Sequence, residues 1–334
     1  TSPGVIPIEE IGTFSTEKGF KDPDKEVFII AGDGNSSLIT SLYFGGVDNT
    51  KKIRLDNGQE IECSLNHRLF TQNGWVKSSD LKINDYVKCI DIKTEGKSGG
   101  EQVNICNIGI TDYSYSTKLT LPTQMSEDLA KWLGMLCADG STVLSTGAVV
   151  LTCADYQVEQ TYLKLCQKLF GDGFKVRISN DKRTEDTRAL IINSRNLVRY
   201  VESLIGKGCR DKHVPRPIMI GSCNEMLAFL DGVTLDGYVK TNWKRKELCV
   251  YEGYSKLLSD QVSALCSYIG LRPYQLKKVS STGEGVYGVL VDDNLIQPIE
   301  VHKDIVLQRK EYTVELPEAY TIKPDIKWWT KRNF

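Results

Sequence analysis

The chain has 334 residues, enough for two domains, and a formal net charge of −1, which excludes a global basic field as the basis of any nucleic-acid binding. No signal peptide and no apolar run long enough to span a bilayer is visible, so the sequence points to a cytoplasmic protein (or a nuclear one in a eukaryotic cell) without membrane contact. Ten cysteines without a CxxC pair, several of them in apolar segments (Cys137, Cys166, Cys249, Cys266), fit reduced, buried thiols better than a disulfide scaffold or zinc site, and three histidines leave little room for His-based metal chemistry.

The first hundred residues read as β-rich. Strand-like pieces fall at 27–31, 38–44, 52–55 and 60–64, separated by turn signals at 32–34, 45–46 and 56–58. Asn57-Gly58 is a strong hairpin signal. Next come Ser64-Leu65-Asn66-His67 and a Gly-Trp-Val segment at 74–76.

Helical signals begin at Ser126, which precedes Glu127 and Asp128 as a cap and first-turn carboxylates do. The helix runs into 132–140 (Trp-Leu-Gly-Met-Leu-Cys-Ala-Asp-Gly), where the Asp139-Gly140 step is expected to end it through a positive φ at the glycine. A strand at 147–153, a helix at 158–170, a Gly-Asp-Gly turn and a strand at 174–178 follow. Then Lys212-His213-Val214-Pro215 leads to Ser222, which has Glu225 at capping-box spacing. A second apolar helix then reaches 229–237 (Phe-Leu-Asp-Gly-Val-Thr-Leu-Asp-Gly), closing on Asp236-Gly237. After it the order recurs: a strand at 247–251, a helix at 256–269, Gly270 and a strand at 274–279.

One helix ending in Asp-Gly is ordinarily only a capped helix. Two copies, each followed by the same run of elements, imply a pseudo-symmetric repeat. Small residues let two such helices pack closely, so that Asp139 and Asp236 meet at their tips. Two carboxylates at one spot call for a cation, and a hard, oxygen-seeking ion such as Mg2+ suits them. Basic residues recur at matching places: Lys175, Arg177, Lys182, Arg183 and Arg188 in the first copy, and Lys244, Arg245, Lys246, Lys277 and Lys278 in the second. Such residues serve as phosphate contacts along a duplex, although for any single one a solvated strand face explains it as well.

The paired segments resemble the LAGLIDADG motif of homing endonucleases, with Asp139 and Asp236 at the acidic, metal-ligating position. The Lys-x-Val-Pro block resembles one that these enzymes carry, which implies that Lys212 stabilises charge on the phosphate or orients water. The front of the chain resembles the Hint fold of inteins, where His67 matches the histidine of a Thr-x-x-His motif and Ser64 replaces its threonine. The resemblance implies an α+β protein: a Hint-like domain over 1–115 and 298–334, split by a two-repeat αββαββα LAGLIDADG endonuclease domain over 116–297. It implies Mg2+-dependent cutting of both strands of a long double-stranded DNA site by a monomer with an internal pseudo-two-fold. An autocatalytic protein-splicing element is the alternative. Thr1 and the closing Arg332-Asn333-Phe334 depart from the splicing residues of inteins, so splicing is not expected of this chain.

Overall fold

The structure, a computed structural model, describes residues 5, 8, 11–13, 17–24, 26–31, 36–88, 105, 119–171, 174–180, 187–235, 239–241 and 246–292. Of these, residues 8 to 88 belong to one compact unit, and Val5 with residues 105 to 292 to a second.

The first unit is built of short strands: β1 (Gly19–Lys21), β2 (Phe28–Ile30), β3 (Ser36–Leu38), β4 (Leu42–Phe44), β5 (Thr50–Arg54), β6 (Glu60–Ser64), β7 (Arg68–Thr71) and β8 (Gly74–Lys77). They pair antiparallel as β1–β4, β2–β3, β5–β6 and β7–β8. The Asn57-Gly58 hairpin joins β5 to β6 as expected, with Gly58 at φ 81° and the Asn57 side chain bonded to Gln59. The single strand expected over 38–44 is instead two strands with different partners. Ile39 still donates to the Val27 carbonyl beside β2, whereas Leu42 pairs with Lys21 of β1. An apolar run does not record that its two halves change partners.

The second unit mixes helices with two four-stranded antiparallel sheets. In chain order it comprises α1 (Glu127–Asp139), β9 (Gly140–Val143), β10 (Ala148–Cys153), α2 (Tyr156–Phe170), β11 (Val176–Asn180), β12 (Arg188–Asn193), α3 (Arg195–Ile205), α4 (Gly208–Asp211), α5 (Arg216–Met219), α6 (Cys223–Thr234), β13 (Val239–Thr241), β14 (Lys246–Gly253), α7 (Lys256–Tyr268), β15 (Tyr274–Val279) and β16 (Gly285–Asp292). One sheet has the order β9-β10-β12-β11 and the other β13-β14-β16-β15, so both place their first, second, fourth and third strands side by side. No helix among the described residues is long and apolar enough to cross a membrane.

Ser126 caps α1 by accepting from the Leu129 amide at 3.2 Å, and Ser222 and Glu225 form the reciprocal capping box of α6. Helix α1 is apolar on nearly every side because it is surrounded: Leu129, Trp132, Leu133 and Leu136 are all buried. Trp132 stacks on Tyr162 of α2 and meets Phe170 edge-on, and each large side chain buried this way contributes about 1.5–3 kcal/mol.

Helix α1 does end at Asp139, but not through a left-handed glycine: Gly140 has φ −83° and ψ 155°. A glycine is needed there for space, since a Cβ would lie 2.5 Å from both the Cα and carbonyl oxygen of Leu136. Helix α6 ends at Thr234, before its Asp-Gly step.

Candidate active site

The site begins where α1 crosses α6. A Cβ on Gly134 would lie 2.2 Å from the Phe229 carbonyl oxygen and 2.9 Å from the Val233 nitrogen. A Cβ on Gly232 would lie 2.1 Å from the Lys131 carbonyl oxygen and 3.0 Å from the Met135 nitrogen. Each glycine is therefore the hole into which the other helix's backbone fits, and no larger residue permits this approach. Lys131 and Asp231 pair at 2.6 Å beside the crossing.

Beyond the crossing, Asp139 is exposed as the last residue of α1. The C-terminal end of this helix, which carries partial negative charge, is closed by Lys212. The Lys212 ammonium is buried and donates to the carbonyls of Leu136 at 2.8 Å, Cys137 at 2.9 Å and Gly140 at 2.8 Å, with that of Ala138 at 3.5 Å. An ammonium has three protons, and three short bonds use them. Lys212, singled out in the sequence, is thus placed with its Nζ in the end of α1. Burial pulls its pKa below the ordinary 10.5, opposed by the negative charge of Asp139.

The backbone around Lys212 is fixed from both sides. Its carbonyl accepts from Ser255 Oγ, the cap of α7, at 2.6 Å, and the Val214 amide donates to Gln261 of α7 at 2.8 Å. The His213 amide donates to the Ile205 carbonyl at the end of α3. Cys137 lies against the His213 carbonyl, and burial pushes its thiol up to about 12, so it stays protonated. Lys212 thus ties the tip of α1 to the start of α7.

Asp236 lies outside the described residues. Among the described residues no group of three or more His, Cys, Asp or Glu could hold a metal. The exposed Asp139 carboxylate is still a fitting donor for Mg2+, which is commonly held by one or two carboxylates while waters and phosphate oxygens fill its other positions.

The pleat of each sheet separates the basic residues. On β12, Arg188 shares a face with the buried Leu190 and Ile192 and bonds Glu159 of α2 at 2.9 Å, so it serves the helix-covered side. Its strand partner β11 carries Arg177 on the opposite face, and both Arg177 and Lys175, just ahead of the strand, are exposed. On β15, Lys277 lies over the Tyr287 ring on the side where Gln275 bonds α7. Its neighbour Lys278 points the other way and pairs with Glu252 at 2.6 Å. Lys182, Arg183, Lys244 and Arg245 lie outside the described residues, and Lys246 opens β14 opposite Thr241.

In the first unit, Ser64 and His67 form the turn between β6 and β7. The His67 amide donates to the Ser64 carbonyl at 3.0 Å, Ser78 Oγ donates to that same carbonyl at 2.7 Å, and the His67 ring is exposed.

The sequence reading missed Lys212's partners, the Asp155 cap of α2 and all of α3. A signal for α3 was present: Ser194 as cap, then Leu197, Val198, Val201, Leu204 and Ile205 at helical spacing.

Residues 126–204, from the cap of α1 almost to the end of α3, match the model of the LAGLIDADG-like domain family. The chain is 28% identical over 215 residues to an A-type ATP synthase subunit of Pyrococcus abyssi, covering 61% of this chain and 20% of that protein. It is 25% identical over 263 residues to the replication factor C small subunit of Methanocaldococcus jannaschii, covering 77% and 14%. Against the replicative DNA helicase DnaB of Synechocystis sp. it is 25% identical over 261 residues, covering 75% and 27%. The chain therefore spans only 14–27% of the length of these relatives. Among solved structures it is similar to the homing endonuclease I-DmoI in complex with DNA and Ca, with a TM-score of 0.38, 19% identity and coverage of 55% of this chain and 88% of that one. Full-length DUF199/WhiA from Thermatoga maritima gives a TM-score of 0.37 and 12% identity, covering 61% and 64%.

Proposed function

We propose that the chain is a site-specific DNA endonuclease of LAGLIDADG type and intein origin, which hydrolyses both strands of a long duplex site with Mg2+. The observation that carries this reading is the reciprocal crossing of α1 and α6, two helices that each lead to an Asp-Gly step. The family match over 126–204 supports it for the first of them.

In this reading Asp139 and Asp236 hold the metal beside the scissile phosphates. Mg2+, when bound, polarises the phosphoryl group and lowers the pKa of water. Lys212 holds the carbonyl end of α1 and so sets where Asp139 points. Lys175, Arg177 and Lys278 track phosphates from the open faces of their sheets, joined by Lys182, Arg183, Lys244, Arg245 and Lys246. The protein works as a cytoplasmic or nuclear monomer.

A second reading, that the chain is an insertion removed by self-splicing, is favoured by one observation. It matches a DNA helicase, part of a replication factor and part of an ATP synthase, each over a minor share of its length. Proteins of such different names have little reason to share a segment unless it was inserted. His67 and Ser64 would then belong to the splicing machinery.

The experiment that tests the first reading is incubation with Mg2+ and a plasmid carrying the empty insertion site, its flanks joined. Linear product at one site supports it, and intact plasmid at every enzyme concentration contradicts it. Fusing the chain between two reporter proteins tests the second, through ligated reporters detected by mass spectrometry.

A further inference from the structure

The sheet β9-β10-β12-β11 carries its helices on one face. There Val149, Leu151, Leu190 and Ile192 are buried, Thr142 donates to Glu202 of α3 at 2.8 Å, and Arg188 pairs with Glu159 of α2. Side chains alternate along a strand, and residues paired across strands share a face. The opposite face therefore holds Val150 beside Ile191, Ala148 beside Val143, and Ala189 beside Thr152. Its other polar side chains stand at the margins: Ser141 and Ser179 on the outer strands β9 and β11, and Asn193 at the end of β12. The middle is aliphatic. Val143 is 40% exposed, Val150 and Ala189 are half-buried, and Ala148 and Ile191 lie deepest.

Charge and position decide what meets this face. Arg177, the cross-strand partner of Ile191, is exposed, as is Lys175 just ahead of β11. Cations at the rim of a face suit the phosphates that border a groove. Strand β9 also begins directly after Asp139, the last residue of α1. Val143 is four residues further on, which is about 14 Å of extended chain and about the rise of four base pairs. A duplex cut at Asp139 thus runs along this face.

We infer that this sheet reads its half of the DNA site through the 5-methyl groups of thymines, with Val143, Val150 and Ile191 as the residues that set specificity. The inference rests on the endonuclease reading given above. Aliphatic side chains neither donate nor accept hydrogen bonds, so they do not sort bases by their polar edges. The apolar feature of the major groove is the thymine methyl, and contact with it is how an apolar side chain recognises a base there. Covering one such group strengthens binding about fourfold. An apolar contact releases no counterion, so this increment is the same at every salt concentration.

The test uses the full chain, filter binding, and duplexes of the empty insertion site in which deoxyuridine replaces thymidine in one half at a time. The replacement removes the methyl and keeps the base pairing. The inference expects one half in which it lowers affinity about fourfold for each methyl contacted, with the slope of log K against log salt unchanged. The same measurement is made on Val143→Thr, Val150→Thr and Ile191→Val, all of which keep a β-branched side chain in the strand. The deoxyuridine penalty should shrink by at least about twofold in one of them, because each variant has already lost a contact to the methyl. Affinity within about twofold of the thymidine duplex for both halves would overturn the inference and leave the endonuclease reading in place. A penalty undiminished in every variant that binds would also overturn it, assigning the effect to the shape of the DNA. A natural chain that neither binds nor cuts the thymidine duplex removes the endonuclease reading, and this inference with it.

Discussion

Replacing Gly134 by alanine tests the helix crossing on which the site depends. The new methyl would meet the Phe229 carbonyl oxygen at 2.2 Å, about 1.2 Å inside the 3.4 Å at which ordinary contact begins. The Val233 nitrogen and Gly232 Cα, at 2.9 and 3.1 Å, obstruct it as well. All three are backbone atoms, so no side-chain rotation relieves the clash and the helices must separate. Overpacking of this kind costs about 1–3 kcal/mol, and a clash with rigid backbone belongs at the upper end. Alanine's better helix propensity returns about 1 kcal/mol, leaving a net loss of about 2 kcal/mol. For a unit of roughly 150–250 residues, each kcal/mol shifts Tm by about 2–4 °C, so melting should fall by about 4–8 °C. Gly232→Ala should act alike, and the double variant should lose less than the sum, because helices already parted by one methyl accept the second more easily. Calorimetry on the purified chain reads all three. A Tm for Gly134→Ala within about 2 °C of the natural value would refute the close crossing.

Lys212→Met should destabilise the chain by at least about 1–3 kcal/mol, since each buried carbonyl left unpaired at the end of α1 costs that much. Denaturant titration reads this. The stability that Lys212 contributes should also grow with pH. Its folded pKa lies below the 10.5 of the unfolded chain, so the unfolded state binds more protons in that interval and the penalty for burying the charge is lifted as pH rises through it. A contribution that falls over the same interval would contradict the buried placement. DNA affinity should decline steeply with salt, and alanine at Lys175, Arg177 or Lys278 should each flatten the slope of log K against log salt by about 1. Alanine at Lys277 or Arg188 should leave that slope alone; if Arg188→Ala flattens it as much as Arg177→Ala, the assignment of sheet faces is wrong.

Much of the second unit is legible in the sequence because its signals are local. Ser126, Ser222 and Glu225 announce helix starts through bonds within one turn, and Asn57-Gly58 sets its hairpin through its own φ. The apolar spacing of 256–269 gives α7 to within a residue. What stays hidden depends on partners distant in the chain. The Lys-x-Val-Pro block marks Lys212 in the sequence, but only the fold brings it to carbonyls more than seventy residues earlier. Lys277 and Lys278 look like one basic pair, yet the pleat sends them to opposite faces. Arg188 reads as one more basic residue on a strand, and only the fold sets it against Glu159 of α2.

In the function proposed above, Asp139 at the tip of α1 holds the metal that cuts DNA. The most direct measurement compares the natural chain with Asp139→Asn on a supercoiled plasmid carrying the empty insertion site, with Mg2+ and with EDTA, while filter binding follows affinity. The natural chain should linearise the plasmid in Mg2+ alone, and Asp139→Asn should bind the site with comparable affinity without producing linear DNA. Linear product from Asp139→Asn at the natural rate, or from the natural chain in EDTA, would contradict the claim.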